Sequence, residues 1–158
     1  MKTLVLGIGN DILGDDGVGL HVARRVARMT RAPDITVKET AGTGLELLEL
    51  IRGYDRLIVA DAVIAADPKP GKIQRRELSD MTNAGNDISP HEGSLTSVIE
   101  LGKVLFPGEM PGIVSIYTIE TAGVEEVTDK MSTEVRQAAL RAAISILLEC
   151  NSLINSTP

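Results

Sequence analysis

The chain has 158 residues, 43% of them hydrophobic, with 22 acidic against 16 basic side chains and a net charge of −6. The length suits one domain with a sizeable core, expected over residues 1–150 with a frayed tail at 151–158. The acidic balance is the opposite of the electrostatic footprint of nucleic-acid or anionic-membrane binding. The lone Cys150 excludes an internal disulfide, and no apolar run reaches the roughly 18 residues of a membrane span.

The opening run of MKTLVLGIGN is too short for a signal peptide, so a cytoplasmic location is expected. Thr3 to Ile8 is almost wholly apolar and ends in glycines, as a strand buried on both faces does. From Val18, the residues Val18, Val22, Val26 and Met29 recur at helical spacing, with Asp15 and Asp16 at the start and arginines toward the end, matching the helix dipole. Asp34 to Glu39 reads as a second strand, and Leu45 to Ile51 as a helix stopped by Gly53. Asp55 to Val63 is a further buried strand carrying Asp61 near its end.

The turn Asp67 to Gly71 leads into a polar alternating segment, KIQRREL, suited to a sheet edge. Leu78 to Gly93 is expected to be a long polar loop, and it contains His91. Leu95, Val98, Ile99, Gly102 and Leu105 mark the next helix, ended by Phe106-Pro107-Gly108. Gly112 to Glu120 is the fifth strand, and the stripe Met131, Val135, Ala138, Ala139, Ala142, Ile146 marks a long closing helix. This alternation predicts a mostly parallel, doubly wound α/β sheet with helices on both faces.

In such sheets ligands gather beyond the carboxyl ends of the strands. Asp15 and Asp16 follow the first strand, Asp61 ends the third and Glu120 the fifth, and the loop of His91 can reach the same edge. The stretch GIGNDILGDDGVG has glycines but lacks the third glycine of a dinucleotide fingerprint, and its two carboxylates would repel phosphate. One of these acids is explained by helix capping; a second among glycines suggests a cation. Asp16, Asp61 and His91 together form a two-carboxylate, one-imidazole set that leaves coordination positions open and does not select among zinc, nickel, cobalt and manganese. His21 reads as structural or solvent-facing, and Cys150, Ser94 and Ser97 lack the partners of a nucleophile.

The segment LVLGIGNDILGDDGVG resembles the N-terminal signature of the hydrogenase maturation endopeptidases. AGTGLELLELI, RLIVADAV and ISPHEGSL resemble that family's second Gly/Thr segment, its central strand with its acid, and its histidine loop, in the same order. The resemblance implies a three-layer α/β/α fold around a five-stranded sheet. It also implies a metal-dependent endopeptidase that removes the C-terminal extension from the nickel-loaded precursor of a nickel-iron hydrogenase large subunit. Residue by residue, the family's metal-contacting positions fall on Asp16, Asp61 and His91. Nickel would be supplied by the precursor, with zinc or cadmium able to stand in for it, and the protein would act as a monomer. The Gly/Thr loop departs from the family pattern, reading Glu39-Thr40-Ala41-Gly42-Thr43; Gly42 and Thr43 are its candidate substrate contacts. Two other readings remain open at this stage: a nickel-sensing chaperone that docks the same precursor without cutting it, and a nucleotide-binding α/β domain.

Overall fold

The structure, a computed structural model, describes residues 1–42, 44–81, 90–123 and 127–152, with residues 81 and 90–94 described by their backbone alone. Its elements in chain order are β1 (Thr3–Ile8), a 3-10 turn (Gly14–Gly17), α1 (Val18–Met29), β2 (Ile35–Thr40), α2 (Leu45–Ile51) and β3 (Arg56–Val63). There follow β4 (Ile73–Glu77), the short α3 (Leu78–Met81), α4 (Pro90–Leu105), β5 (Ile113–Glu120) and α5 (Thr133–Ser152). The five strands form one sheet in the order β2-β1-β3-β5-β4. β1 pairs in parallel with β2 and β3, and β3 with β5, while β4 runs antiparallel to β5 at the edge. The expected fold is therefore the observed one: a mostly parallel five-stranded sheet flanked by helices.

Side-chain alternation divides the interior in two. Val5, Ile58, Ala60, Ala62, Tyr117 and Ile119 meet α1 and α5 on one face. Leu4, Leu6, Ile8, Leu57, Val59, Val114 and Ile116 meet α2 and α4 on the other. Both faces are covered, which is why β1 and β3 are fully buried along their whole length and read as continuous apolar runs. β4 is half-buried to exposed along its length, in keeping with its polar sequence.

The expected loop from Leu78 to Gly93 is partly helical. It opens with α3, and α4 begins at Pro90, five residues before the first periodic apolar residue; residues 82–89 lie outside the described ones. A proline in the first turn costs the helix no hydrogen bond, and the polar first turn hid its helical period. His91 accordingly stands in the first turn of α4, and not in a loop. At the other end of the chain, α5 runs through Asn151 and Ser152, two residues into the expected tail, and residues 153–158 lie outside the described ones. Among the described residues no helix is long and apolar enough to cross a membrane.

Two charged side chains at the end of α5 and beneath it, Arg56 and Glu149, are tied down by hydrogen bonds. Arg56, 2% exposed, donates to Thr3 Oγ1 at 3.3 Å and to the carbonyls of Glu149 and Cys150 at 3.3 and 3.4 Å, holding the end of α5. The Glu149 carboxylate accepts from Ser115 Oγ at 2.6 Å, Tyr117 Oη at 2.7 Å and Arg75 Nε at 2.7 Å. Burial pushes the Glu149 carboxyl upward, but the bonds from Arg75, Ser115 and Tyr117 outweigh it and hold the group below the usual carboxylate range. This carboxylate joins α5 to β4 and β5 and is spent structurally.

The position of α1 rests on missing side chains. A Cβ on Gly19 would collide with the carbonyl oxygens of Ile8 and Ala60, and a Cβ on Gly7 would collide with the Gly19 carbonyl and lie 2.7 Å from Ala23 Cβ. These glycines let the first turn of α1 sink onto the carboxyl ends of β1 and β3. Gly19→Ala is expected to lower unfolding stability by about 3 kcal/mol through overpacking against backbone, read as a lower denaturant midpoint with an unchanged m-value.

Candidate active site

β2 lies on one side of β1 and β3 on the other, so the chain changes direction across the sheet between β1 and β3. In an open α/β sheet this switch point leaves a crevice beyond the strand ends. The 3-10 turn that carries Asp15 and Asp16 packs against β3 at this edge. Its approach is close, since a Cβ on Gly9 would collide with the carbonyl oxygen of Asp16.

The two adjacent acids have different surroundings. Asp15 Oδ1 accepts the backbone N–H of Ser132 at 2.7 Å and its Oδ2 accepts Ser132 Oγ at 2.9 Å. Ser132 immediately precedes α5, so Asp15 fastens the first loop to the start of the last helix. This corrects the expectation that one acid caps α1: the cap position of α1 is Gly17, which has no side chain to offer. Asp16 is half-buried on the same turn. Asp61, 1% exposed, holds the backbone N–H of Ala62 on Oδ1 at 2.8 Å. Strand alternation puts Asp61 on the α2 and α4 face of the sheet.

His91 reaches this edge through its helix. The segment after α4 is bound to the amino end of the sheet, where Gly53 N–H donates to Glu109 O at 2.8 Å and Gly112 N–H to Asp55 O at 3.0 Å. α4 packs through Leu95, Val98 and Ile99 on the face that holds Leu6 and Ile8. Sixteen residues of helix, about 24 Å, span nearly the length of an eight-residue strand. The first turn of α4 thus lies toward the carboxyl ends of the strands. The side chain of His91 lies outside the described residues, as does Thr43. Among the described residues no three His, Cys, Asp or Glu side chains are gathered as a metal-binding group.

Other candidates are accounted for by local bonds. Glu120 Oε1 pairs with Lys72 Nζ at 2.8 Å and its Oε2 accepts Lys69 N–H at 2.9 Å; Lys72 above all holds its carboxyl below the usual range. Gly42 N–H donates to Thr40 Oγ1 at 2.8 Å, and that hydroxyl donates to Glu46 Oε1 at 3.0 Å, so the Gly/Thr loop is organised by its own side chains up to Gly42. Cys150 is 3% exposed and burial pushes its thiol up, away from the reactive thiolate. Burial lowers the pKa of His21, which stands 3.9 Å from Asp11.

Two features were not read from the sequence. Arg24 forks between Asp11, at 2.7 and 3.2 Å, and Glu39, at 2.7 to 3.1 Å, joining the first loop, α1 and β2. Both acids raise the Arg24 pKa through these bonds. Thr118 stands directly across from Asp61 in the β3–β5 register, and its Oγ1 is the one buried side-chain polar atom without a hydrogen-bond partner among the described residues. The partners of Arg24 lie outside α1, in the first loop and in β2, so no local spacing signals them, and nothing in the sequence distinguishes Thr118.

Comparison with known proteins gives the family of the chain. The family model HycI, hydrogenase maturation protease, matches residues 20–149. The chain belongs to the hydrogenase maturation protease family. It is 34% identical over 113 residues to the hydrogenase 2 maturation protease of Escherichia coli, covering 70% of this chain and 68% of that protein. It is 28% identical over 154 residues to the hydrogenase expression/formation protein HupD of Bradyrhizobium diazoefficiens, covering 96% of this chain and 78% of that one. The solved structure of the hydrogenase maturating endopeptidase HybD from E. coli is similar at a TM-score of 0.72 and 27% identity, covering 96% of this chain and 94% of that one. HybD from Thermococcus kodakarensis, at 22% identity, shares the fold at a TM-score of 0.73, covering 95% of this chain and 99% of that one. Members of this family are proteases that mature hydrogenases, and the nucleotide-binding reading has no support from these relatives.

The fastening role of Asp15 separates it from Asp16 in a way that can be measured. Asp15→Ala is expected to cost about 2 kcal/mol in chemical denaturation, because two bonds to a charged acceptor are lost and Ser132 N–H is left without it.

Proposed function

We propose that the chain is an endopeptidase that removes the C-terminal extension from the nickel-loaded precursor of a nickel-iron hydrogenase large subunit, acting in the cytoplasm as a monomer. The observation that carries this reading is the shared edge of Asp16 and Asp61 at the switch point of the sheet, in a chain that belongs to a protease family. Asp16, Asp61 and His91 are the groups assigned to engage the metal in the precursor. Nickel is in this reading part of the substrate. Zinc or cadmium is able to take its place on the same donors.

The donor chemistry fits a divalent ion: two carboxylates and one imidazole supply three ligands and leave positions for the precursor's own groups. When present, the metal polarises the scissile carbonyl. Water adds to the carbonyl carbon, the carbon–nitrogen bond breaks, and the departing amine takes up the proton that the water releases. Asp16, the more solvent-exposed of the two acids, is suited to accept that proton and pass it on, whereas Asp61 is buried with one oxygen committed to Ala62 N–H. No protein nucleophile is required, in line with the buried, unreactive Cys150. Docking the metal before cleavage makes processing conditional on a loaded precursor.

Asp16→Asn, Asp61→Asn and His91→Ala are each expected to slow release of the C-terminal peptide by about 10²-fold or more, followed by mass spectrometry, while circular dichroism stays that of the parent chain. Parental rates in all three variants would remove the site. Undiminished binding with an unchanged precursor mass in the parent chain would favour the non-catalytic chaperone.

A further inference from the structure

The hydroxyl of Thr118 is in the interior, beside the candidate site, with nothing to bond. Thr118 is 1% exposed, and its Oγ1 is the one buried side-chain polar atom without a hydrogen-bond partner among the described residues. A buried hydroxyl ordinarily has a partner, because its lost hydration is otherwise uncompensated. The other hydroxyls along β5 follow that rule: Ser115 Oγ and Tyr117 Oη both donate to Glu149. Valine has nearly the shape of threonine and suits a strand as well, so packing alone does not call for a hydroxyl at this place.

The register fixes what the hydroxyl faces. β5 lies between β3 and β4, and Thr118 is paired with Asp61 on one side and with Gln74 on the other. Alternation puts Thr118 on the face of Val114 and Ile116, which α2 and α4 cover and which Asp61 shares. Adjacent strands are about 4.8 Å apart, so the side chains of paired residues on one face come within reach of each other through a change of rotamer. Gln74 Oε1 already accepts Arg76 Nη2 at 2.9 Å. Asp61 accepts Ala62 N–H on Oδ1 at 2.8 Å, and since an ionised carboxylate has about four acceptor sites, a further donor does not displace that bond. An unbonded donor and a carboxylate thus stand side by side across one strand pair.

We propose that Thr118 is a positioning residue for Asp61: when the carboxylate engages the metal of the precursor, the Thr118 hydroxyl donates to it and fixes its orientation. The inference rests on the protease reading above and deepens it. Ala62 N–H ties Asp61 to its own strand, and the Thr118 bond ties the same carboxylate to the neighbouring strand. A carboxylate that binds metal is ordinarily held by such outer donors, whose loss weakens metal binding or activity by roughly 10- to 100-fold. The unbonded hydroxyl is a cost to the resting fold that engagement of the metal recovers.

The test uses the full chain, with zinc alone as the metal probe and the intact nickel-loaded precursor as substrate. The zinc uptake that counts, followed by isothermal titration calorimetry, is the part lost in Asp61→Asn. Thr118→Val is expected to weaken it about tenfold and to slow release of the C-terminal peptide about tenfold, with a Tm no lower than the parent's, because the hydroxyl removed has no bond in the resting fold. Thr118→Ser, which keeps the donor, stays within about twofold of the parent in both measurements. Parental zinc binding and parental cleavage in Thr118→Val would overturn the positioning role and leave the protease reading intact. A lowered Tm in Thr118→Val, or a loss that Thr118→Ser shares, would overturn that role too, since either is the mark of a structural part. Zinc binding that depends on the Thr118 hydroxyl, in a parent chain that never cleaves the precursor, would overturn the protease reading and leave the pairing with Asp61. A parent chain that cleaves the precursor but takes up no zinc through Asp61 would overturn the role of Thr118 and leave the protease reading.

Discussion

The contact on which the site depends is the descent of α1 onto two strand ends. Without a Cβ at Gly19, the first turn of the helix lies against the carbonyls of Ile8 and Ala60, and Gly7 leaves space for Ala23 from beneath. A side chain at either place would lift α1 from the sheet and carry the preceding 3-10 turn with it. That turn holds Asp16, and the strand under it carries Asp61 two residues before its end at Val63. The glycine-rich opening segment, which in another setting would cradle a phosphate, here brings helix and sheet together so that a carboxylate stands beyond the strand ends.

The acids near this edge divide the work between them. Asp15 is committed to Ser132 and Glu120 to Lys72 and Lys69; Asp11 and Glu39 share Arg24. Each of these bonds fixes a loop at the carboxyl end of the sheet to another element, and together they rigidify the frame around Asp16 and Asp61. A frame held in this way favours recognition of a particular arrangement of ligands, because the groups lose little freedom when a partner binds. The hydroxyl of Thr118, opposite Asp61, is the exception among the buried side-chain polar atoms of the described residues.

Much of this was legible from residue order alone. Fully buried strands such as β1 and β3 have no polar face and so appear as unbroken apolar runs, and the stripe of α1 from Val18 to Val26 follows its contact with the sheet. The edge character of β4 followed from its charged alternation, though its antiparallel direction did not, because direction is set by which connection crosses the sheet. The start of α4 was missed because its first turn reads Pro90-His91-Glu92-Gly93 and supplies no apolar residue to begin a helical period. The role of Asp15 was beyond local reading altogether, since its partner lies 117 residues further along the chain. Asp16 and Asp61 could be expected at one edge because the alternation of strands and helices fixes which loops lie beyond the carboxyl ends of the strands. His91 joined them in the same reading, and the family resemblance pointed to the same residue; its side chain lies outside the described residues.

The central claim is that the acidic edge reads a metal held by the precursor and cuts only when the metal is there. The most direct measurement is the intact mass of a hydrogenase large-subunit precursor after incubation with this chain, with the precursor loaded with nickel in one sample and metal-free in the other. The account predicts loss of the C-terminal peptide from the loaded precursor and an unchanged mass for the metal-free one. An unchanged mass for both, or equal cleavage of both, would contradict it.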